Sequence, residues 1–154
     1  MEDLEKAKQT ALRLIAFRPR TVHELRNKLE EKGYSPEVVS DIVAFCQEYG
    51  YLDDARLARS WVKWRLNEKP SGKSLLIQEL RAKGIDESII ENALSEEYND
   101  RNEFDLAVNA VNKRLKSYQN LDRTVAERRI LSFLSRRGFS FTVAREVTNE
   151  ILDR

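Results

Sequence analysis

The chain has 154 residues, of which 41% are hydrophobic and 34% charged, and its formal net charge at pH 7 is +1. Five glycines and three prolines are too few for a turn-dense β fold, so the composition favours an all-α protein with a modest core. No apolar run approaches the roughly 18 residues that a membrane span requires, and the N-terminus "MEDLEKAKQT" is charged where a signal peptide is apolar. We therefore expect a cytoplasmic protein.

Three helices are predicted in the first third of the chain. Apolar residues in 4–17 keep helical spacing (Leu12, Ile15, Ala16). The next helix begins after Thr21, which forms a capping-box pattern with Glu24, and it ends before Gly33. A third helix follows Ser35, a typical N-cap residue, and carries an apolar face (Val38, Val39, Ile42, Val43).

The junction between the second and third helices recurs twice. "LEEKGYSPEVV" at 29–39 is similar to "LRAKGIDESII" at 80–90 and "LSRRGFSFTVA" at 134–144. In each copy an apolar pair four residues apart precedes a glycine, a cation stands before that glycine, and a cap residue stands two positions after it. The pattern predicts a left-handed glycine at each helix end: Gly33, Gly84 and Gly138.

The three glycines are 51 and 54 residues apart, which fits a tandem helical array. Each copy also has room for a helix upstream, at 53–66 with Leu57, Trp61 and Trp64, and at 105–118 with Leu106, Ala110 and Val111. We predict three three-helix repeats, 1–51, 52–99 and 100–154, forming an elongated, curved array. The alternative is a single irregular helical bundle.

The residues that catalysis or metal binding usually needs are scarce. With one cysteine and one histidine, neither a thiolate zinc site nor a histidine-based triad is readily assembled, so we expect no enzyme, no metal and no cofactor. Cys46 lies in an apolar stretch and is predicted to be a buried thiol, whereas His23 should lie on the surface in the first turn of its helix. Asp53 and Asp54 are interpreted as helix-capping residues rather than a catalytic pair. "KPSGKS" at 69–74 lacks the first glycine of a phosphate-binding loop and is interpreted as a connection between helices.

The charges are segregated along the chain. Segment 56–83 has eight basic and two acidic residues, and segment 113–145 has nine basic and two acidic residues. Between them, 86–105 has eight acidic residues against Arg101 alone. Because phosphate binding draws on local lysines and arginines rather than on net charge, the two basic segments are candidate contacts with a DNA backbone or an acidic protein groove. The alternative is that they form solvated helix faces.

The sequence also resembles a known family. "LDDARLARSWVKWR" at 52–65, "SGKSLLIQELRAKGID" at 71–86 and "RPRTVHELRNKLEEKG" at 18–33 are similar to the motifs of the RecX family, and the third copy resembles its divergent last repeat. Leu57 stands where the family usually has an aromatic residue, which preserves apolar packing. The resemblance covers nearly the whole chain.

This resemblance implies a regulator, usually an inhibitor, of the RecA recombinase in recombination and DNA repair. It implies binding in the groove of the RecA filament on single-stranded DNA, and we expect a monomer. The candidate partner- or DNA-binding residues are those flanking the end of the tryptophan-bearing helix and those on the helix before Gly138: Arg65, Lys69, Lys73, Arg128, Arg129 and Arg136. One of Trp61 and Trp64 is expected to fill the core and the other to meet a base or a partner.

A second functional class stays open. Each helix–glycine–helix copy is similar to a helix-turn-helix, so the alternative interpretation is an autonomous DNA-binding protein. The second helices, however, start with "SPEVVSD", "DESIIEN" and "SFTVARE", which are acidic or apolar and poorly suited to reading a major groove.

Overall fold

A computed structural model describes residues 2–98 and 102–154, and these residues form nine α-helices, one short 3₁₀ helix and no strand. The helices are α1 (Glu2–Phe17), α2 (Val22–Glu31), α3 (Pro36–Glu48), α4 (Asp54–Glu68), α5 (Lys73–Ala82), α6 (Glu87–Glu97), α7 (Glu103–Asn112), α8 (Arg123–Arg136) and α9 (Phe141–Leu152). The 3₁₀ helix, Leu115–Ser117, follows α7. The all-helical prediction and the succession of three three-helix groups are confirmed. Over the described ranges, no helix is both long and apolar enough to cross a membrane.

Each predicted glycine does end a helix. Gly33, Gly84 and Gly138 have φ angles of 91°, 79° and 84°, in the left-handed region that favours glycine. In all three turns the N–H of the residue after the glycine donates to a carbonyl five residues back, for example Tyr34 to Leu29 at 3.3 Å. This pattern satisfies carbonyls that the helix end leaves unpaired.

The predicted caps of α2, α3, α4 and α9 are also present. Thr21 accepts from the backbone N–H of Glu24 at 3.1 Å, and the Glu24 carboxylate accepts from the backbone N–H of Thr21 at 3.0 Å, which completes the capping box. Ser35 and Ser140 accept from backbone N–H groups three residues later. Asp53 caps α4 by accepting from the backbone N–H of Arg56 at 3.0 Å.

The described chain groups into two compact units, which do not coincide with the three repeats. Unit 1 comprises residues 1–60 and 80–92, and unit 2 comprises 61–79 and 93–154. In unit 1, helices α1, α2 and α3 pack on one another around a core that includes Leu25, Leu29, Ile42 and the free thiol Cys46. Burial raises the pKa of that thiol, as expected for an unreactive core cysteine.

In unit 2, α8 and α9 pack on each other and on α7. The buried residues of α7 include Leu106, Ala110 and Val111, as predicted. Ile130, Phe133 and Leu134 are the largest buried side chains of α8, and Ile130 and Leu134 are the apolar pair that precedes Gly138.

In α1 and α4, the most buried residues differ from the apolar positions named in the sequence. In α1 the fully buried residues are Ala7 and Ala11, whereas Ala16 is exposed and Leu12 and Ile15 are half-buried. Small alanines on this stripe let the neighbouring helices approach closely, and the larger side chains lie at its edges.

In α4 the buried residues are Ala58, Val62 and Leu66, one position along from the predicted stripe. Neither tryptophan is therefore in the core: Trp61 is half-buried and Trp64 is 43% exposed. Leu57, Trp61 and Trp64 have helical spacing, but so do the residues of the adjacent stripe. Which of the two stripes is buried depends on how α4 packs against its neighbours.

The predicted helix over 105–118 is also shorter than expected. Helix α7 ends at Asn112 and the chain continues as the 3₁₀ helix. Three residues per turn place Leu115 and Tyr118 on the same side of this segment, where Leu115 is half-buried and Tyr118 is buried.

Candidate nucleic-acid interface

The six candidate basic residues all belong to unit 2. They differ in whether a carboxylate of the protein is paired with them. Arg65 is the most constrained. Its Nε donates to Glu79 Oε1 at 3.0 Å, and its Nη2 forms an ion pair with Glu79 Oε2. The Trp61 indole N–H donates to the same carboxylate at 3.0 Å. Only 16% of the Arg65 side chain is exposed, so its guanidinium is chiefly a partner for Glu79.

The two tryptophans flank this ion pair. The Arg65 guanidinium lies 5.6 Å from the ring centroid of Trp61 and 5.1 Å from that of Trp64, within the range of cation–π attraction. The two rings are 5.4 Å apart. Trp64 is the more exposed of the pair and remains accessible to a base or a partner side chain.

Lys69 and Lys73 lie on either side of the loop between α4 and α5, and both are exposed. The Lys73 ammonium is 5.2 Å from the Tyr98 ring centroid. The loop itself is held firmly, because the hydroxyl of Tyr98 donates to the Ser71 carbonyl at 3.0 Å. "KPSGKS" is thus a connection between helices, as predicted, and Lys69 and Lys73 lie near its two ends.

This loop also joins the first basic segment to the second. The backbone N–H of Gly72 donates to the carbonyl of Arg137 at 2.8 Å, and the Lys113 ammonium donates to the carbonyl of Glu68 at 3.3 Å. The part of the first basic segment that lies in unit 2, residues 61–79, and the second basic segment, 113–145, are therefore neighbours.

Arg137 shows the effect of this concentration of charge. It is the C-cap residue of α8, and its guanidinium lies 5.2 Å from the Phe133 ring centroid. Burial, followed by the positive charges of Arg65 and Arg114, lowers the pKa of Arg137 below its ordinary value. Its Nε is buried with no hydrogen-bond partner in the described part of the chain.

The three candidate arginines of α8, Arg128, Arg129 and Arg136, are exposed, but they do not act as one group. Arg129 and Arg136 line the same cavity, of about 300 Å³, and Arg128 lies outside it. Arg136 Nη1 donates to the hydroxyl of Ser132 at 2.7 Å. Among residues 2–98 and 102–154, none of the three forms an ion pair with a carboxylate.

Arg114 is a site residue that the sequence did not single out. It lines the cavity of Arg129 and Arg136, and its guanidinium lies 4.4 Å from the Phe133 ring centroid. The sequence signal is a repeated pattern: "RLKSY" at 114–118 and "RILSF" at 129–133 both place a serine and an aromatic residue three and four positions after an arginine.

The acidic segment is partly used inside the protein. Glu97 pairs with Lys63 at 3.7 Å, Glu87 pairs with Arg81, and Glu103 accepts from the backbone N–H of Lys73 at 3.3 Å. Asp100 and Arg101, which belong to this segment, and the repeat boundary expected at 99–100 lie outside the described residues.

His23 and Asp54 show no sign of catalytic or metal chemistry. His23 is exposed, and its Nε2 lies 3.1 Å from Nδ2 of Asn27. Asp54 accepts from the backbone N–H of Val22 at 3.0 Å and thereby caps α2. Within the described ranges, no group of three or more histidine, cysteine, aspartate or glutamate side chains is arranged to hold a metal ion.

Comparison with known proteins gives one consistent result. Three successive family models match the chain: the first three-helix domain of RecX over residues 7–46, the second over 53–94 and the third over 102–148. A protein of Amycolatopsis mediterranei (strain U-32) called "Regulatory protein RecX" is 35% identical over 153 residues, covering 97% of this chain and 87% of the relative. One of the same name from Vibrio vulnificus (strain CMCP6) is 36% identical over 134 residues, covering 87% and 85%.

The fold has a counterpart among solved structures. The "Crystal structure of RecX from Lactobacillus salivarius" superposes with a TM-score of 0.82 at 24% identity and covers 99% of both chains. Both curated relatives are named as regulatory proteins and not by an enzymatic activity, in agreement with the expectation that this chain is not an enzyme.

Proposed function

The chain belongs to the RecX family of regulatory proteins, and from this membership we propose that it regulates a RecA recombinase in recombination and DNA repair. In this proposal it acts as a monomer, binds in the groove of the RecA filament on single-stranded DNA, and inhibits the recombinase. A groove of this kind presents both protein side chains and DNA phosphates, so the ligand surface has to match both.

The uncompensated positive charge of unit 2 is the observation that best supports the proposal. Arg128, Arg129 and Arg136 are exposed on α8 and have no carboxylate partner in the described chain, and Lys69 and Lys73 extend the basic surface. Exposed arginines are well suited to phosphates because their planar guanidinium donates two parallel hydrogen bonds. Arg65 belongs to the proposed surface as well, but with its charge already matched by Glu79.

Co-sedimentation tests the filament as the ligand. The protein should pellet with a preformed RecA filament on single-stranded DNA under conditions in which it does not saturate the naked strand. Inhibition of ATP turnover or strand exchange at well below one copy per recombinase subunit would support filament binding. Inhibition that begins only when the naked strand is saturated would instead indicate competition for DNA and would contradict the proposal.

Charge reversal tests the surface. Replacing Arg128, Arg129 and Arg136 by glutamate should weaken filament binding and flatten its salt dependence without unfolding the protein. A matched control reverses three exposed basic residues of unit 1, Arg13, Lys28 and Lys32, and changes the net charge equally. Equal losses in the two triple variants would mean that only total charge matters. No loss at moderate salt in the first would move the contact to Lys69 and Lys73.

The alternative, autonomous DNA binding through helix-turn-helix units, predicts equal affinity for naked DNA and for the filament. The starts of α3 and α6 argue against base reading, since their first turns contain Glu37 and Glu87, and Glu87 pairs with Arg81. The co-sedimentation comparison separates the two classes.

A further inference from the structure

Three arginines surround one cavity in unit 2, and we propose that this cavity binds a single backbone phosphate of single-stranded nucleic acid. The proposal deepens the proposed function and rests on it for the identity of the strand. The cavity has a volume of about 300 Å³, and its charged residues are Arg114, Arg129 and Arg136. Ser117 and Ser132 also line it.

Two equivalent stretches of sequence build the cavity. Arg129, Ser132 and Phe133 stand at positions i, i+3 and i+4 of α8, and Arg136 follows at i+7, so all four lie on one helix face. The turn after α7 supplies Arg114, Ser117 and Tyr118 with the same spacing. Each stretch thus contributes one arginine, one serine and one aromatic ring in the same spacing, and α8 adds a second arginine, Arg136.

The cavity has a polar rim and an aromatic floor. The three arginines and the two serines are exposed, whereas Tyr118 and Phe133 are 7% and 4% exposed. The Arg114 guanidinium lies 4.4 Å from the Phe133 ring centroid, which limits the orientations that this side chain samples. The site is therefore partly organised before any ligand arrives, which reduces the entropy lost on binding.

The chemistry of the lining favours a phosphate. Among the described residues no carboxylate lines the cavity, so the three positive charges are not neutralised by its lining. Arg136 donates one hydrogen bond to the Ser132 hydroxyl. The other N–H groups of the three guanidiniums outnumber the acceptor sites of a single carboxylate. A phosphodiester with its sugar adds ester and ring oxygens, which the arginines and the two serine hydroxyls can serve together.

Because the three arginines would share one phosphate, their contributions should not add. Each phosphate contact on a single strand contributes about 0.7 to the slope of log affinity against log salt concentration. The triple variant with glutamine at Arg114, Arg129 and Arg136 should therefore lower that slope for an oligothymidylate by about 0.7, not by about 2, and weaken binding about fivefold at 0.1 M salt. Arg114→Gln alone should lower the slope by no more than this, because two arginines still contact the phosphate.

Arg128→Gln provides the matched control on the same helix, since this exposed residue lies outside the cavity. Its effect should add to that of Arg114→Gln, whereas the effects of Arg114→Gln and Arg129→Gln should overlap. Arg129 makes no hydrogen bond or ion pair in the described chain, so Arg129→Gln keeps the test available if Arg114→Gln is unstable.

The source of the phosphate is tested with two probes. An oligothymidylate with neutral methylphosphonate linkages should bind the original protein and the triple variant equally. Inorganic phosphate, added at ionic strength matched with chloride, should displace the strand only weakly. Saturable binding of inorganic phosphate, with strand affinity unchanged in the triple variant, would assign the cavity to free anions and overturn the proposal.

Two further results would also overturn it. A slope that falls by about 2 in the triple variant would mean three separate contacts rather than one shared phosphate. If the original protein did not bind the naked oligothymidylate, the proposed phosphate site would be ruled out. Filament binding, measured by co-sedimentation, would still stand as an independent result. Failure of co-sedimentation alone would remove the proposed function instead.

Discussion

The backbones of Gly72 and Gly138 are in direct contact: a Cβ atom on Gly72 would lie 2.1 Å from the carbonyl oxygen of Gly138. The other nearest atoms are also backbone, at 2.4 Å and 2.7 Å. Because a backbone cannot turn away as a side chain can, only glycine fits at position 72. This contact lets the Gly72 N–H reach the Arg137 carbonyl and so holds the two basic stretches of unit 2 together.

Gly72→Ala should therefore lower the free energy of unfolding by about 1–3 kcal/mol, the usual cost of overpacking. Chemical denaturation should show a lower midpoint with an unchanged m-value. The neighbouring exposed residue gives the control: Ser74→Ala should stay within about 0.5 kcal/mol of the original protein. Equal stability of Gly72→Ala and the original protein would contradict the close approach.

The glycines at two helix ends should respond differently to alanine. Gly33 and Gly84 both have positive φ, but a Cβ on Gly33 meets no atom within 4 Å, whereas one on Gly84 would lie 2.3 Å from Cβ of His23. Gly33→Ala should cost about 1–2 kcal/mol from backbone strain alone. Gly84→Ala should cost a further 1–3 kcal/mol or so from overpacking. Thermal melts of both variants check this.

His23→Ala provides a second arm of that experiment. It removes the imidazole ring but keeps the Cβ that stands closest to Gly84, so it should recover only part of the loss in Gly84→Ala. If Gly33→Ala and Gly84→Ala lowered stability equally, the His23 side chain would have moved away from the new Cβ at no measurable cost in free energy.

Two capping carboxylates of unit 1 should show opposite pH dependence. Burial alone would raise the pKa of Glu24, but the hydrogen bond from the Thr21 N–H and the charges of Lys83 and Arg18 lower it overall. Its stabilising contribution is then complete above the unfolded pKa of about 4.3 and is lost as pH falls through the folded pKa. Glu24→Gln should be less stable than the original protein at pH 7, and the difference should disappear below that window.

Asp54 is the contrasting case. Burial is the main cause of its raised pKa; the Val22 N–H opposes it, and Asp86, Asp53 and Glu24 add to it. Its ionised form therefore costs stability at neutral pH, and this cost vanishes as pH falls through the raised folded pKa toward the unfolded value of about 3.9. Asp54→Asn, which keeps an acceptor for Val22, should be more stable than the original at pH 7 and equal to it at low pH. Denaturation midpoints measured across pH 3–7 test this. If Asp54 were paired with a cation, Asp54→Asn would be less stable than the original protein at pH 7.

Arg65 should behave unlike Lys69 and Lys73. Removing its guanidinium leaves the half-buried Glu79 carboxylate without its cation and with the Trp61 indole N–H as its remaining partner, so Arg65→Gln should lower the free energy of unfolding by about 1–3 kcal/mol. Lys69→Gln and Lys73→Gln should leave stability within about 0.5 kcal/mol but weaken filament binding, because both side chains are exposed. If Arg65→Gln weakened filament binding at unchanged stability, its guanidinium would contact the partner directly.

The sequence by itself determined where most of the helices begin and end, although α7 ends at Asn112 rather than near residue 118. The signals at the helix ends act within about five residues, so they can be recognised from the sequence alone. They are the glycines Gly33, Gly84 and Gly138, the Thr21–Glu24 capping box and the serine caps. The sequence also determined the number of repeats, since each three-helix repeat carries its own copy of these local signals.

Only the tertiary structure decided which stripe of a helix is buried and which charges meet. Helix α4 has two apolar stripes of helical spacing, and packing buries Ala58, Val62 and Leu66 rather than the tryptophans. Arg65 finds Glu79 fourteen residues away, and Arg114 joins Arg129 and Arg136 across a turn. These contacts depend on how helices lie against one another, which is a property of side-chain volumes in three dimensions and not of spacing along the chain.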